Sequence, residues 1–323
     1  MTQAIDTLTE KLEELLMARY PKTICPSEVP RSFEADELNA MGVLSWRELM
    51  PTIREIVWDK REKKEVEVLQ KGQIIEGYVQ LRDVTDDFLS EPAQCIQKKI
   101  INFKEEADLP EYDGLYACVL DDVFTAEECT QLTRAAESTT DGVWEQGTIN
   151  VGGGRQQKVT DVRNCGRILW DDRNLVAKIW SRCQDHLPEL KELKDQPRIA
   201  AGPARRKETW EMTRLNERMR FLSYVEGNYF RPHMDGSFAT EGNEEISYYT
   251  LHLYLNEPSQ DSQLEGGATT FHSMNMRKDF NVMPKAGRVL IFQQRSLIHS
   301  GADVISGVKF TMRTDLMYKK KAE

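Results

Sequence analysis

The sequence predicts an α+β protein: an antiparallel jelly roll with flanking helices over its C-terminal two-thirds, preceded by a small helical domain. Three observations predict it. From Asn216 onward the chain reads almost wholly as strand, over 218–226, 247–256, 268–271, 288–293 and 308–318. Turns rich in glycine separate those strands, at Glu226-Gly227-Asn228, Glu265-Gly266-Gly267 and Lys285-Ala286-Gly287. Many short strands joined this way make a sandwich or barrel, the group in which cupin-type jelly rolls fall. Before residue 60 the apolar residues recur instead at helical spacing.

At 323 residues the chain has room for two domains, the larger with a sizeable core. It is 40% hydrophobic and 30% charged, the composition of a soluble globular protein. A formal net charge of -10 argues against broad binding to nucleic acid or anionic membrane. No run approaches the roughly 18 apolar residues of a membrane span. Met1 to Met17 carries Asp6, Glu10, Glu13 and Glu14, the wrong sign for a targeting peptide. The six cysteines form no CxxC pair and read as reduced thiols in a cytoplasmic or nuclear protein.

Residues 3–19 place Ile5, Leu8, Leu12, Leu15 and Leu16 on one helical face, ended before Pro21. Pro26-Ser27-Glu28 starts a short second helix. Ser45-Trp46-Arg47-Glu48 is a capping box opening a third, in which Trp46, Leu49, Met50, Ile53 and Val57 are buried and Pro51 sits early. Residues 65–75 alternate and turn at Lys71-Gly72 as a hairpin does. Three helices and a hairpin predict a winged-helix-like domain over 1–80. Winged helices often carry a DNA-reading helix, and Lys60, Arg61, Lys63 and Lys64 could meet phosphates. Yet residues 1–80 hold 11 Lys/Arg against 15 Asp/Glu, so a solvated helix end is the better reading of that cluster. Residues 81–112, polar and mixed in pattern, read as a linker with some helix.

A strand at 114–120 leads through Asp121-Asp122-Val123-Phe124 into a helix capped by Thr125 and Glu128, burying Cys129, Leu132 and Ala136. Gly152-Gly153-Gly154 with Arg155 is a loop without the strand-loop-helix setting of a phosphate motif. A helix over 174–186 packs Leu175, Ile179 and Trp180 and closes on His186.

The chemistry concentrates after residue 230, where four of the five histidines lie. His233 and Asp235, two apart, share one face of a strand. With a second imidazole from another strand they make the two-histidine, one-carboxylate set that leaves metal positions open, as in non-haem Fe(II) oxygenases. His299, His252 and His272 are the candidates for that imidazole. His272 falls out of phase with Thr269 and Phe271 and reads as outward-facing. His252 shares the face of Tyr254 and is the rival ligand, or a polar pocket wall. Pro232 and Gly236 read as backbone devices. Arg220 shares the face of Tyr224, a candidate substrate contact.

Several ordered elements go further: Arg220-Phe-Leu-Ser-Tyr224, Tyr229-Phe-Arg-Pro-His-Met-Asp-Gly236, Leu253-Tyr-Leu-Asn256, Gly266-Gly-Ala-Thr-Thr-Phe271, Pro284-Lys-Ala-Gly287 and His299 with Lys309 ten residues on. On these, residues 113–320 resemble the prolyl 4-hydroxylase-type branch of the Fe(II)/2-oxoglutarate dioxygenases. The closing Lys309-Phe-Thr-Met-Arg-Thr-Asp-Leu-Met-Tyr318 resembles a subgroup common in fungi and protists, with a lysine and an arginine on the final strand. The N-terminal stretch, about 5–80, resembles a small uncharacterised bacterial and fungal domain family. The resemblance implies a double-stranded β-helix domain over 113–323 that takes Fe(II), 2-oxoglutarate and O2, with ascorbate as a candidate reductant. It implies His233, Asp235 and His299 as catalytic metal ligands, and Lys309 as the cation for the distal carboxylate of 2-oxoglutarate. Tyr224 and Tyr254 stand beside that cation, and Thr269 lines the pocket or serves only its strand. Arg313, four residues from Lys309 on the same face, offers a bidentate fork that lysine lacks and is the competing anchor.

The implied function is hydroxylation of a C–H bond, on a prolyl or other protein side chain. The alternatives are a small-molecule oxygenase of the same kind and a non-catalytic winged-helix regulator whose barrel senses iron, oxygen or 2-oxoglutarate. A zinc cupin leaves the 2-oxoglutarate elements unexplained. Loops 139–168 and 236–247 are expected to set the substrate.

Overall fold

The structure is a computed structural model that describes residues 2–19, 28–43, 45, 49–50, 52–53, 56–57, 60, 69–70, 73–74, 88–89, 95–150, 156–258 and 263–321. The chain forms two compact units, Met1–Gln80 and Leu81–Glu323.

In the first unit, helix α1 (Thr2–Arg19) buries Leu8 and Leu12, one turn apart. They meet Val29 of α2 (Glu28–Arg31), Leu38 of α3 (Ala35–Ala40), and Leu49, Met50, Ile53, Ile56 and Val57. Leu69–Gln70 pairs antiparallel with Gln73–Ile74, as the alternation predicts. Trp46, Arg47, Glu48, Pro51, the Lys71-Gly72 turn, Arg61, Lys63 and Lys64 lie outside the described residues. Lys60 is engaged: its ammonium donates to Glu13 Oε1 at 2.6 Å.

The second unit is two facing antiparallel sheets. Its strands, in chain order, are β1 (Gln97–Ile100), β2 (Ala117–Asp121), β3 (Arg163–Asn164), β4 (Gly166–Asp171), β5 (Trp210–Leu215), β6 (Arg218–Val225), β7 (Tyr229–His233), β8 (Glu245–Tyr254), β9 (Thr269–His272), β10 (Asp279–Val282), β11 (Val289–Gln293), β12 (His299–Gly301) and β13 (Val308–Lys320). The larger sheet runs β1-β2-β11-β8-β13-β6-β4, with Glu145–Gln146 on its edge and β5 beside the far end of β13. The smaller runs β10-β9-β12-β7-β3. This is the jelly roll that the strand pattern predicts.

Alternation decides which face does what. Met219, Phe221, Leu251, Leu253 and Met312 turn outward. There they pack on α4 (Ala126–Ser138) and α5 (Arg173–Cys183) through Cys129, Leu132, Ala136, Leu175, Val176 and Ile179. The predicted cap of α4 is present in both directions: Glu128 N–H donates to Thr125 Oγ1 at 3.1 Å and Thr125 N–H to Glu128 Oε2 at 2.8 Å.

The linker reading of 81–112 is corrected. Phe88 and Leu89 join the core beneath α4 and α5, and β1 pairs with β2 through Lys98↔Leu120 and Ile100↔Cys118. Ile101, Phe103, Ala107, Leu109 and Tyr112 then fill one end of the barrel against Phe271, Leu290 and Phe292. Their spacing is neither 2 nor 3.6 because they form an irregular plug, and so the segment shows no period.

Gly287 holds the turn into β11 against the entrance of α4. Its φ is +77°, and a Cβ there would lie 1.8 Å from the Phe124 carbonyl oxygen. Gly287→Ala is expected to lower the unfolding free energy by about 3 kcal/mol or more, read from the urea midpoint of the second unit's transition. A loss below about 1 kcal/mol would show that this turn yields without strain.

Candidate active site

Three central strands put their polar residues on the inner face. In register, Tyr224 stands opposite Lys309 and Arg220 opposite Arg313; across the other ladder His252 faces Arg313 and Thr250 faces Asp315. Directly opposed residues share a face. Tyr224, Thr250, His252, Lys309 and Arg313 therefore line one wall of a pocket.

The smaller sheet supplies the opposite wall. His233 on β7 pairs in register with His299 on β12, and Asp235 follows two residues beyond His233. Ligand atoms of His233, Asp235 and His299 all lie within 4.8 Å of one another. His233 Nδ1 is 2.8 Å from the Arg231 carbonyl and His299 Nδ1 is 3.2 Å from the Leu297 carbonyl. Those contacts assign the ring proton to Nδ1 and leave each Nε2 lone pair free, 3.6 and 3.8 Å from the Asp235 carboxylate. Burial first, then the charge of His233, pulls His299 down to about 3, so it is neutral at physiological pH. Burial pushes the Asp235 carboxyl up, but Arg313, His299 and His233 outweigh it and hold it well below the usual carboxylate range. Thr250 Oγ1 donates to Asp235 Oδ2 at 2.6 Å, and Arg313 lies 3.1 Å from Oδ1. The Phe230 ring stacks on His233 at 3.6 Å between centroids, and Phe292 meets His299 edge-on at 4.7 Å.

Lys309 is 2% exposed, and its ammonium sits 5.3 Å from the Tyr224 ring and 5.6 Å from the Tyr254 ring. Among the described residues no carboxylate lies within 4.0 Å of it. Burial lowers it to about 7. Tyr254 does not reach the pocket directly; its hydroxyl donates to Thr269 Oγ1 at 2.6 Å, and Thr269 lines the pocket. Arg313 is spoken for at Asp235 and Asp315.

The other sequence candidates divide. His252 lines the pocket, its Nε2 buried without a partner, but it is not among the three clustered ligands. Arg220 is not among the lining residues; it donates to Asp315 Oδ2 at 3.0 Å. His272 faces away and is held by Asp279 at 2.6 Å and Ser300 at 2.7 Å. His186 ends a 3-10 turn after α5. Gly152-Gly153-Gly154 and Arg155 lie outside the described residues. Among the lining residues that went unpredicted are Arg163, Phe230, Thr250 and Phe292. Thr250 shares the face of His252 and Tyr254 and was readable by alternation. Phe230 was not, because the ladder shifts register between Phe230 and His233, where Pro232 has no N–H to offer.

Two imidazoles with free Nε2 atoms and one ionised carboxylate suit Fe(II), and a buried ammonium with no counter-ion among the described residues suits a dicarboxylate beside it. The comparisons agree with that chemistry. Residues 219–314 match the family model of the 2OG-Fe(II) oxygenase superfamily. This part of the chain is a 2OG-Fe(II) oxygenase domain.

The domain is thus of the 2-oxoglutarate-dependent dioxygenase type, a superfamily that uses Fe(II), 2-oxoglutarate and O2. Residues 6–86 match a second model, described as a protein of unknown function (DUF3253). No curated protein sequence matches the chain. Among solved structures, a viral collagen prolyl hydroxylase from Paramecium bursaria Chlorella virus-1 is 19% identical, covering 64% of this chain and 97% of that one, with a TM-score of 0.41. A Trichoplax adhaerens prolyl hydroxylase, solved with a peptide of hypoxia-inducible factor, is 16% identical over 65% and 87%, TM-score 0.43. A Pseudomonas putida prolyl-4-hydroxylase is 15% identical over 66% and 97%, TM-score 0.39.

His233→Ala or Asp235→Ala in the oxygenase domain should weaken Fe(II) binding by more than about 100-fold, and Thr250→Val by about 10-fold, in anaerobic calorimetric titrations. Unchanged affinity in Asp235→Ala would remove that carboxylate from the ligand set.

Proposed function

We propose that the protein hydroxylates a prolyl residue, or another side chain, of a protein or peptide, at iron held by His233, Asp235 and His299. One observation carries the cosubstrate part of this reading. Lys309 is a buried cation with no counter-ion among the described residues, in the same pocket as the three ligands. Such a charge is costly unless an anion completes it. The prolyl part rests on the ordered elements from Arg220 to Lys309 that resemble prolyl 4-hydroxylases.

Bound iron and 2-oxoglutarate supply an O2-dependent oxidation that turns 2-oxoglutarate into succinate and CO2 as a C–H bond becomes C–OH. The chain's residues bind, orient and shield. Nε2 of His233, Nε2 of His299 and the Asp235 carboxylate hold the metal. Thr250 and Arg313 fix the rotation of that carboxylate. Lys309 receives the distal carboxylate, with Tyr224 and the Tyr254–Thr269 pair beside it. Leu222, Phe230 and Phe292 keep the walls apolar, which strengthens each polar contact inside.

Purified protein with Fe(II), ascorbate and 2-oxoglutarate is expected to form succinate, and His233→Ala to abolish it. A wild type that binds no Fe(II) anaerobically would sink the reading. Lys309 adds a pH signature. Its ordinary value is 10.5 and its folded value about 7, so the burial cost is present below pH 7 and relieved above it. The distal carboxylate needs the charged form. Affinity for 2-oxoglutarate should therefore be full below pH 7 and weaken about tenfold per unit above it, with proton uptake seen in buffers of different ionisation enthalpy. 2-Oxovalerate, lacking the distal carboxylate, should show neither effect; a flat profile for 2-oxoglutarate would take the anchor role from Lys309.

A further inference from the structure

The oxygenase pocket carries more positive charge than iron ligation and 2-oxoglutarate require. Arg313 and Arg220 stand directly opposite each other on β13 and β6. Arg167 on β4 lies opposite Leu222, a pocket-lining residue, and so shares that face. Like charges directly opposed are destabilising unless something between them compensates. Asp315 is the only carboxylate among the described residues that bonds Arg220. It accepts from Arg220 at 3.0 Å, from Arg313 at 3.3 Å and from Gln294 at 3.0 Å, and is 2% exposed. The second carboxylate that Arg313 touches, Asp235, belongs to the metal. Among the described residues Arg167 donates to neutral oxygens, Thr148 Oγ1 at 2.7 Å and Gln156 Oε1 at 3.1 Å, while Glu145 stands opposite it on the edge strand. Its Nε is buried without a partner, as is that of Arg313. Burial, with Arg163 and Arg220 nearby, lowers the Arg167 guanidinium from its ordinary value.

Arg220 and Arg313 thus share one carboxylate outside the metal set, and Arg167 adds a third guanidinium, faced by the exposed Glu145 across the edge ladder. Composition does not explain it. The chain is net -10 and residues 1–80 account for -4 of that, leaving -6 for the unit that builds this patch. Nor does 2-oxoglutarate supply the missing anion. Lys309 is four residues from Arg313 along β13, about 13 Å at strand rise, with the ligand carboxylate Asp235 at the Arg313 end. Arg220 keeps solvent access, 22% of its side chain, and uses one of five N–H donors. It shares the strand face of the lining residues Leu222 and Tyr224.

We propose that the substrate presents a carboxylate flanking the hydroxylated residue, an acidic peptide segment, and that Arg220 receives it with Arg167 reinforcing the field. A guanidinium suits this because its planar fork matches a carboxylate in two parallel hydrogen bonds. A local cationic concavity on an acidic protein also draws acidic segments to the mouth and turns basic ones away.

The proposal rests on the prolyl-peptide reading above, and one experiment separates the two. Succinate formation by the full chain with Fe(II) and 2-oxoglutarate is measured with three peptide pools, each with a central proline flanked by Asp/Glu, by Ala/Ser or by Lys/Arg. The acidic pool should have a KM about tenfold below the neutral pool, rising with added KCl, and the basic pool should be weakest. Arg220→Gln should cut the acidic preference to under about twofold through KM rather than kcat, and Arg220→Lys should restore part of it. Arg167→Gln should give an intermediate ratio. Equal KM for acidic and neutral pools overturns the inference and leaves the hydroxylase reading standing. Loss in equal proportion for all pools in Arg220→Gln marks a structural role and removes Arg220 from the assignment. No stimulation by any pool above the peptide-free rate sinks the prolyl-peptide reading and this inference with it.

Discussion

The site depends on the register of three strands, β6, β13 and β8. Because side chains alternate, a single register sets two surfaces at once. Met219, Phe221, Leu251, Leu253 and Met312 meet the helices, while Tyr224, Thr250, His252, Lys309, Arg313 and Asp315 turn inward. A slip of one residue would bury Lys309 against α4 and α5 and expose Met312 to the pocket. The apolar cost of such a slip, several side chains at about 1.5–3 kcal/mol each, is what holds the polar face in place. The chemistry is therefore positioned by residues that never touch it.

The competition between Lys309 and Arg313 resolves along the same strand. Both are inward, so alternation could not choose between them. Partnership does. Arg313 is held at one side by Asp235 and at the other by Asp315, so moving it to a third anion would leave two buried carboxylates under-compensated. Lys309 has aromatic faces and no counter-ion, and a ligand there completes a charge rather than stealing one. The sequence could show that two cations share a face; only the places of Asp235 and Asp315 show which is free. Asp315 lies two residues from Arg313 within Arg313-Thr314-Asp315, and was not singled out because its buried setting comes from β8 and Gln294.

What was legible follows the range of the signal. His233-x-Asp235 is local, and period two suffices. Strands of the larger sheet run from five to thirteen residues between glycine turns in this region, long enough for alternation to show. Arg163 sits on a strand of two residues, and two residues carry no period. It stands 7% exposed with its guanidinium 4.6 Å over the Phe230 ring, a placement set by pairing across sixty-seven residues of chain. The plug at 101–112 was missed for a related reason: its apolar residues answer to the shape of the barrel's end, not to a backbone repeat.

The Gly266-Gly267-Ala268-Thr269 segment joins these threads. By pattern it reads as a turn followed by a β-former, which leaves open whether Thr269 lines the pocket or serves only its strand. In the structure Thr269 takes the Tyr254 hydroxyl and lines the pocket, so the residue is placed for more than propensity. Gly267, with φ +69°, explains the rest. A Cβ there would stand 3.0 Å from Cδ of Lys309 and 3.3 Å from Val304. The methylene stem of Lys309 lies against that bare backbone, which fixes where its ammonium can reach. An alanine would press on the stem, not on the charge. The turn that closes one sheet is thus also the floor beneath the cation, and the motif's second glycine answers to Lys309, forty-two residues later in the chain.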